Sequence, residues 1–132
     1  MILAVDDDPG RFDHLRRLLD GRGIGLPLVV ASCARCVAHA LPRAIAVLLD
    51  HDLGPARCPG CGADVAGRET GRQYLPAIRA SGLPCIVVSC SSRENVAALC
   101  DGLAGHPYTR IGAMETDPEL RWLGWLWARG VL

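Results

Sequence analysis

The chain has 132 residues, half of them apolar, with 14 basic and 14 acidic side chains and a formal charge of zero. That length supports one hydrophobic core and is too short for two ordinary domains, so residues 1–132 are expected to form a single domain. The apolar share excludes a disordered chain, and the balanced charge leaves no surplus of positive groups for phosphate backbones, so nucleic acid is not favoured as a partner.

Apolar stretches such as Ala44 to Leu49 and Cys85 to Val88 are strand-length, far below the roughly 20 residues that cross a bilayer, so no membrane partner is expected. The opening Met1-Ile2-Leu3-Ala4-Val5 runs into three aspartates without a basic leader or a small-residue cleavage site, which predicts a cytoplasmic protein.

In chain order, Ile2 to Val5 reads as a buried strand closed by acids, and Pro9 stands where the first turn of a helix tolerates a missing N–H. Phe12, Leu15, Leu18 and Leu19 recur at helical spacing, with Arg11, Arg16, Arg17 and Asp20 on other faces, until Gly21 and Gly23 stop the pattern. Leu28 to Ala31 is a second strand; Ser32 is a candidate cap for a short helix over Cys36 to Leu41, ended near Pro42-Arg43. Ile45 to Leu49 forms a third strand that ends on Asp50. From His51 to Gly71 the chain is rich in Gly, Pro and Cys without periodicity, which predicts a long loop.

Beyond it, Tyr74, Leu75 and Ile78 mark a third helix, Cys85 to Val88 a fourth strand, and Val96, Leu99 and Leu103 a fourth helix. Tyr108 to Ile111 is a weak fifth strand, and Leu120 to Ala128 a fifth helix. Short apolar strands alternating with amphipathic helices predict a doubly wound (βα)5 three-layer sandwich around a central, parallel, five-stranded sheet.

In such a sheet functional groups gather at the carboxyl ends of the strands. Asp6 and Asp7 follow strand one, Asp50 ends strand three and Ser89 ends strand four. Converging carboxylates repel one another unless a hard cation neutralises them, and carboxylates with water are the usual shell of Mg²⁺, so Asp6, Asp7 and Asp50 are candidate ligands for Mg²⁺ or Mn²⁺. The competing reading has Asp6 to Asp8 decorating a loop and capping helix one; Asp50 behind a strictly apolar strand favours the metal site.

Ile2-Leu3-Ala4-Val5-Asp6-Asp7-Asp8-Pro9 resembles the opening of a response-regulator receiver domain, and Val47-Leu48-Leu49-Asp50 resembles the strand that delivers its phosphoacceptor aspartate. The resemblance covers essentially the whole chain and implies the flavodoxin-like receiver fold. It makes Asp6 and Asp7 the acidic metal pair, Asp50 the phosphoacceptor and Ser89 the hydroxyl that senses phosphorylation. A receiver also carries a Lys before a Pro after strand five. Here that segment reads Pro107-Tyr108-Thr109-Arg110-Ile111-Gly112, and the chain has no lysine at all. Arg110 is the nearest cation, and a planar guanidinium does not simply replace an ammonium.

Leu49-Asp50-His51-Asp52-Leu53-Gly54, followed by Thr70-Gly71, is similar to the divergent receivers called cyclic-phosphate-processing receiver domains, for which hydrolysis of cyclic phosphate or nucleotide-derived substrates has been proposed. That resemblance implies a catalytic set of Asp50, His51, Asp52 and Ser89 acting on a small phosphate-containing ligand, with RNA ends bearing a cyclic phosphate as the one nucleic-acid form that fits. His51 suits proton transfer near neutrality, and a metal-bound water beside Asp52 could attack phosphorus. The subfamily tends to show His-Ser at the end of strand four, where this chain has Val88-Ser89. A loop imidazole bonded to backbone is the plainer reading of His51; His14, His39 and His106 lack acidic company and read as surface or core residues.

Seven cysteines, an odd count, argue against a disulfide framework, and four of them form two Cys-x-x-Cys pairs, Cys33/Cys36 and Cys58/Cys61, separated by 21 residues. The spacing fits a tetrahedral structural zinc that staples the long loop; a redox pair and an iron–sulfur cluster are the competitors. Cys85 and Cys100 read as small buried hydrophobes, and Cys90 as a core residue or a reactive thiol at the functional edge. Finally, Trp122, Trp125 and Trp127 crowd the last helix, more apolar surface than one sheet contact needs, so a homodimer stands beside simple packing as an expectation. Three functions remain: a metal-dependent phosphohydrolase of cyclic or nucleotide-derived phosphates, a stand-alone receiver phosphorylated on Asp50, and a catalytically silent interaction module.

Overall fold

The computed structural model describes residues 1–67, 69–89, 91–112 and 119–132. Along the chain run β1 (Ile2–Val5), α1 (Pro9–Gly21), β2 (Leu28–Ala31), α2 (Ala34–Ala40), β3 (Ala46–Leu49), the short strands β4 (Ala56–Arg57) and β5 (Asp64–Val65), α3 (Leu75–Ser81), β6 (Cys85–Val88), α4 (Arg93–Gly102), β7 (Tyr108–Ile111) and α5 (Arg121–Ala128). The expected fourth and fifth strands are thus β6 and β7.

Five strands form one parallel sheet in the order β2-β1-β3-β6-β7. Because successive side chains of a strand point to opposite faces, the all-apolar strands build two cores. On one face Leu3, Val5, Val47, Leu49 and Val87 pack with Val37 of α2, Ile78 of α3 and Leu99 of α4. On the other, Ile2, Ala4, Leu48 and Ile86 pack with Phe12 and Leu15 of α1 and with Trp122 and Leu126 of α5. This is the three-layer sandwich expected from the alternation. Burying a large aliphatic or aromatic side chain contributes about 1.5–3 kcal/mol, so these two layers dominate the stability.

From β1 the chain turns to β2 on one side and afterwards to β3 on the other, and the switch opens a crevice at the carboxyl ends of β1 and β3. Val5 pairs with Ala31 and with Leu49, so the residues just beyond, Asp6 and Asp50, come out side by side. Their own amides extend the ladder, Asp6 N–H to Ala31 O at 3.1 Å and Asp50 N–H to Val5 O at 3.0 Å.

Three local expectations change. Helix α2 starts at Ala34, with Cys33 rather than Ser32 as its N-cap: the Cys33 sulfur accepts the Cys36 N–H at 3.4 Å. Ser32 is fully buried and uses its carbonyl to accept the Tyr74 hydroxyl at 2.9 Å. The stretch 51–71 is not a plain loop, because β4 and β5 pair antiparallel within it; strands of two residues are too short to show a period. A turn of 3-10 helix, Gly71–Tyr74, leads into α3.

At the other end of the sheet, Trp122 is buried and Trp125 partly so, with the Arg129 guanidinium 5.0 Å from its ring centre. Of the three tryptophans only Trp127, 72% exposed, presents a free aromatic face.

The stretch from β3 to α3 closes on itself through Gly71, whose N–H donates to His51 O at 2.6 Å. A Cβ at Gly71 would overlap the Asp50 carbonyl oxygen and press on the Leu49 side chain. A backbone clash cannot be relieved by rotating a side chain, so Gly71→Ala is expected to lower stability by about 1–3 kcal/mol or more. Gly124→Ala, at an open helical position with nothing within 4 Å, is expected to be neutral or stabilising. Thermal melts of the two variants check this.

Candidate functional site

The crevice holds an acidic trio. Asp6 and Asp50 are 1% and 3% exposed, Asp7 is half-buried, and ligand oxygens from all three lie within 4.8 Å of one another. Backbone amides orient the buried pair: Asp8 N–H donates to Asp6 Oδ1 at 2.8 Å, and His51 N–H donates to Asp50 Oδ1 at 2.8 Å. Asp8 is the N-cap of α1 and accepts the Gly10 N–H at 2.9 Å, so the capping reading of the acidic run holds for this residue.

Arg11 completes the arrangement. Its Nη1 stands 3.0 Å from Asp6 Oδ2 and 3.4 Å from Asp50 Oδ2, a guanidinium bridging both buried carboxylates. Sequence reasoning placed Arg11 on an outer helix face; the usable signal was its position in the first turn of a helix whose N-cap lies two residues beyond Asp6. Even so, burial pushes the Asp6 carboxyl up, the neighbouring Asp50 pushes it further, and the Asp8 amide and Arg11 only partly counter this, leaving it at about 7. The trio offers hard oxygen donors, the donor set that suits Mg²⁺ or Mn²⁺.

Beside the trio, His51 is buried and its Nδ1 lies 2.7 Å from Asp52 Oδ1. Asp52 Oδ2 accepts the Ser91 hydroxyl at 3.1 Å, and Ser91 Oγ accepts an Asn95 side-chain N–H at 2.9 Å. The imidazole Nε2 is buried with no hydrogen-bond partner among the described residues. A carboxylate on Nδ1 selects the tautomer that leaves a lone pair on Nε2, the state of a proton acceptor. Sequence reasoning missed Ser91 and Asn95. They lie at the start of α4, where Ser92 is the N-cap, and polar residues there read equally well as ordinary capping.

Ser89 ends β6, its amide donating to Ile111 O at 3.0 Å, and its hydroxyl is buried without a partner among the described residues. Arg110 lies exposed within β7, opposite Val87, rather than beyond the strand. Cys90 lies outside the described residues.

The two Cys-x-x-Cys pairs also meet. The sulfurs of Cys33, Cys36, Cys58 and Cys61 all fall within 4.8 Å of one another, and those of Cys33 and Cys61 are 3.6 Å apart. Burial raises the Cys58 thiol, but the amides of Ser32, Cys33, Cys61 and Gly60 outweigh it and bring it down to about 5. Burial and the surrounding thiols push Cys36 up to about 12, and burial raises Cys33. Cys85 is fully buried, and Cys100 packs against the same core.

No protein-family model and no curated protein matches the chain. Among solved structures it is similar to a CheY-like response-regulator receiver domain protein from Methanospirillum hungatei JF-1, at TM-score 0.62 and 21% identity over 98% of this chain and 91% of that one. Its fold is that of a receiver domain. It is also similar to the signal receiver domain of a modulated diguanylate cyclase from Desulfovibrio desulfuricans G20, at TM-score 0.52 and 19% identity over 87% and 84% of the two chains. Within this receiver fold the described residues contain no helix long and apolar enough to cross a membrane.

The raised Asp6 has a consequence for stability. Because its folded-state value, about 7, lies above the ordinary 3.8, the proton it holds stabilises the fold fully below about pH 4, and that contribution is lost as pH rises through 7. In magnesium-free buffer, Asp6→Asn is expected to flatten this slope and to melt higher than the parent protein near pH 8, by on the order of a few kcal/mol. Melts of both proteins from about pH 5 to about pH 8, repeated with Mg²⁺, measure it; Mg²⁺ is expected to raise only the parent at the alkaline end.

Proposed function

We propose that this receiver-like domain is a divalent-cation-dependent phosphohydrolase acting on cyclic or nucleotide-derived phosphate esters. The observation that carries the reading is the His51–Asp52 pair, with Nδ1 held at 2.7 Å and a buried Nε2 that has no partner among the described residues, next in the chain to Asp50 of the acidic trio. Asp6, Asp7 and Asp50 would hold Mg²⁺ or Mn²⁺, which supplies a binding point for phosphate oxygens and stabilises the charge that develops on them. In this reading a water admitted beside His51 Nε2, which is buried in the resting fold, gives up its proton there as its oxygen attacks phosphorus, and Asp52 stabilises the imidazolium that forms. The new P–O bond displaces the ester oxygen, and the proton passes from His51 to that oxygen. Ser91 and Asn95 keep Asp52 pointed at the imidazole.

Asp50 serves in this reading as a holding group: its Oδ1 accepts the His51 amide and its Oδ2 faces Arg11, which leaves lone pairs on both oxygens for a cation. The chain supplies no lysine ammonium to pair with an acyl phosphate. The second reading, a stand-alone receiver phosphorylated on Asp50, is favoured by the position of Asp50 at the end of β3 and by the buried Ser89 hydroxyl, which has no partner among the described residues, in a receiver fold.

Hydrolysis of 2′,3′-cyclic nucleotides, 3′,5′-cyclic nucleotides and RNA oligomers ending in a cyclic phosphate, with Mg²⁺ or Mn²⁺, separates these readings. Turnover is expected to fall about 10²–10⁴-fold in His51→Gln and to be lost in Asp50→Asn, while Ser91→Ala leaves KM in place and reduces kcat. Absence of turnover, together with a phosphoryl adduct on Asp50 from acetyl phosphate, would overturn the hydrolase in favour of the phosphoacceptor; absence of both would leave a silent module.

A further inference from the structure

The four-cysteine cluster lies outside the acidic site, and nothing in the proposed hydrolysis uses it. We propose that Cys33, Cys36, Cys58 and Cys61 form a closed tetrahedral Zn²⁺ centre that clamps the β4–β5 hairpin to the start of α2.

The geometry is that of a ligand set. A Zn–S bond of about 2.3 Å places tetrahedral sulfurs about 3.8 Å apart, and the Cys33 and Cys61 sulfurs are 3.6 Å apart. A disulfide needs about 2.05 Å. All four sulfurs fall within 4.8 Å of one another, so neither Cys-x-x-Cys pair stands apart as a separate redox couple. Each pair comes from an element that presents two sulfurs inward: Cys33 and Cys36 from the N-cap and first turn of α2, Cys58 and Cys61 from the turn between β4 and β5.

The hairpin turn is shaped for this. Cys58 N–H donates to Ala63 O and Gly62 N–H to Cys58 O, both at 2.8 Å, and Gly62 adopts φ +77°, a left-handed conformation that suits glycine. Gly60 passes so close that a Cβ would stand 3.1 Å from the Cys36 sulfur and 3.4 Å from Val30 O, so a side chain there would push the two halves apart. Backbone N–H groups aim at the sulfurs, Ser32 at Cys58 and Cys36 at Cys33, both at 3.4 Å, which stabilises thiolate charge. Arg35 and Arg43 line the same crevice as Cys36 and Cys61, adding positive charge beside a centre that four thiolates leave negative.

An all-sulfur set selects a soft or borderline cation over Mg²⁺, and four protein ligands leave no position for a reacting water, so the centre is structural. Two strands of two residues supply few ladder bonds of their own, and only Cys58 and Val65 of the hairpin reach the core, so the binding energy of the metal adds to the folding energy of the segment.

Elemental analysis and native mass spectrometry of the whole chain, purified without chelator, are expected to find one zinc per molecule, and Co²⁺ exchange to give sulfur-to-cobalt charge-transfer absorption with tetrahedral d–d bands. Cys61→Ser removes the exposed ligand and is expected to lose bound zinc while the protein still folds; Cys100→Ser is expected to retain one equivalent. Removing the metal is expected to speed amide exchange in residues 56–65 at least tenfold and to leave β1 and β3 protected. Two disulfides in the freshly purified protein, an iron–sulfur spectrum, or full zinc retention in Cys61→Ser would each overturn the assignment. Both hydrolysis and Asp50 phosphorylation can fail without affecting any of these readouts.

Discussion

Two carboxylates, Asp6 and Asp50, are held side by side at the ends of adjacent buried strands, where water cannot screen their mutual repulsion. The register of a parallel sheet puts them there, and the apolar layers on both faces keep them there. Several contacts in the crevice offset that repulsion. Arg11 reaches across to both from the first turn of α1; the amides of Asp8 and His51 each take one oxygen; the Asp6 carboxyl still retains its proton to about 7. A cation held there, as proposed above, would relieve a cost already built into the native state.

The sheet was legible in the sequence because β1, β3 and β6 are uninterrupted apolar runs, the signature of strands buried on both faces, whereas the edge strand β7 carries Thr109 and Arg110 and left only a weak trace. Leu48-Leu49-Asp50 is the plainest case: the apolar run stops at the carboxylate, where the strand ends. The cysteine cluster was legible from spacing alone, since each Cys-x-x-Cys pair carries its own local geometry. Arg11, Ser91 and Asn95 were not. Each acts across space on a residue from another segment, and each sits where a helix start supplies an equally good local explanation. The β4–β5 hairpin escaped for a different reason, because a ladder of two residues leaves no periodic trace.

The acidic site and the cysteine cluster draw on one stretch of chain. His51 and Asp52 open it, Cys58 and Cys61 occupy its turn, and Gly71 closes it against His51. Tyr74 then reaches back to Ser32, the residue between β2 and the first cysteine. A loop with this many fixed points is a scaffold: the imidazole and carboxylate that face each other across 2.7 Å are presented by backbone anchored at both ends.

That anchoring has an architectural side. The chain leaves the sheet and returns to it at nearly one place: Leu53 N–H donates to Glu69 O at 3.2 Å, Asp52 bridges Thr70, and Gly71 bonds His51. Between those rungs the hairpin is an excursion whose two ends are already joined, like a drawer in a closed frame. Leu53, Cys58 and Val65 tie the excursion into the core on the face of α2 and α3, so any exchange of this element has to keep apolar side chains at those three points. Strand order and the spacing of Asp6 and Asp50 are set elsewhere, by the register of the sheet.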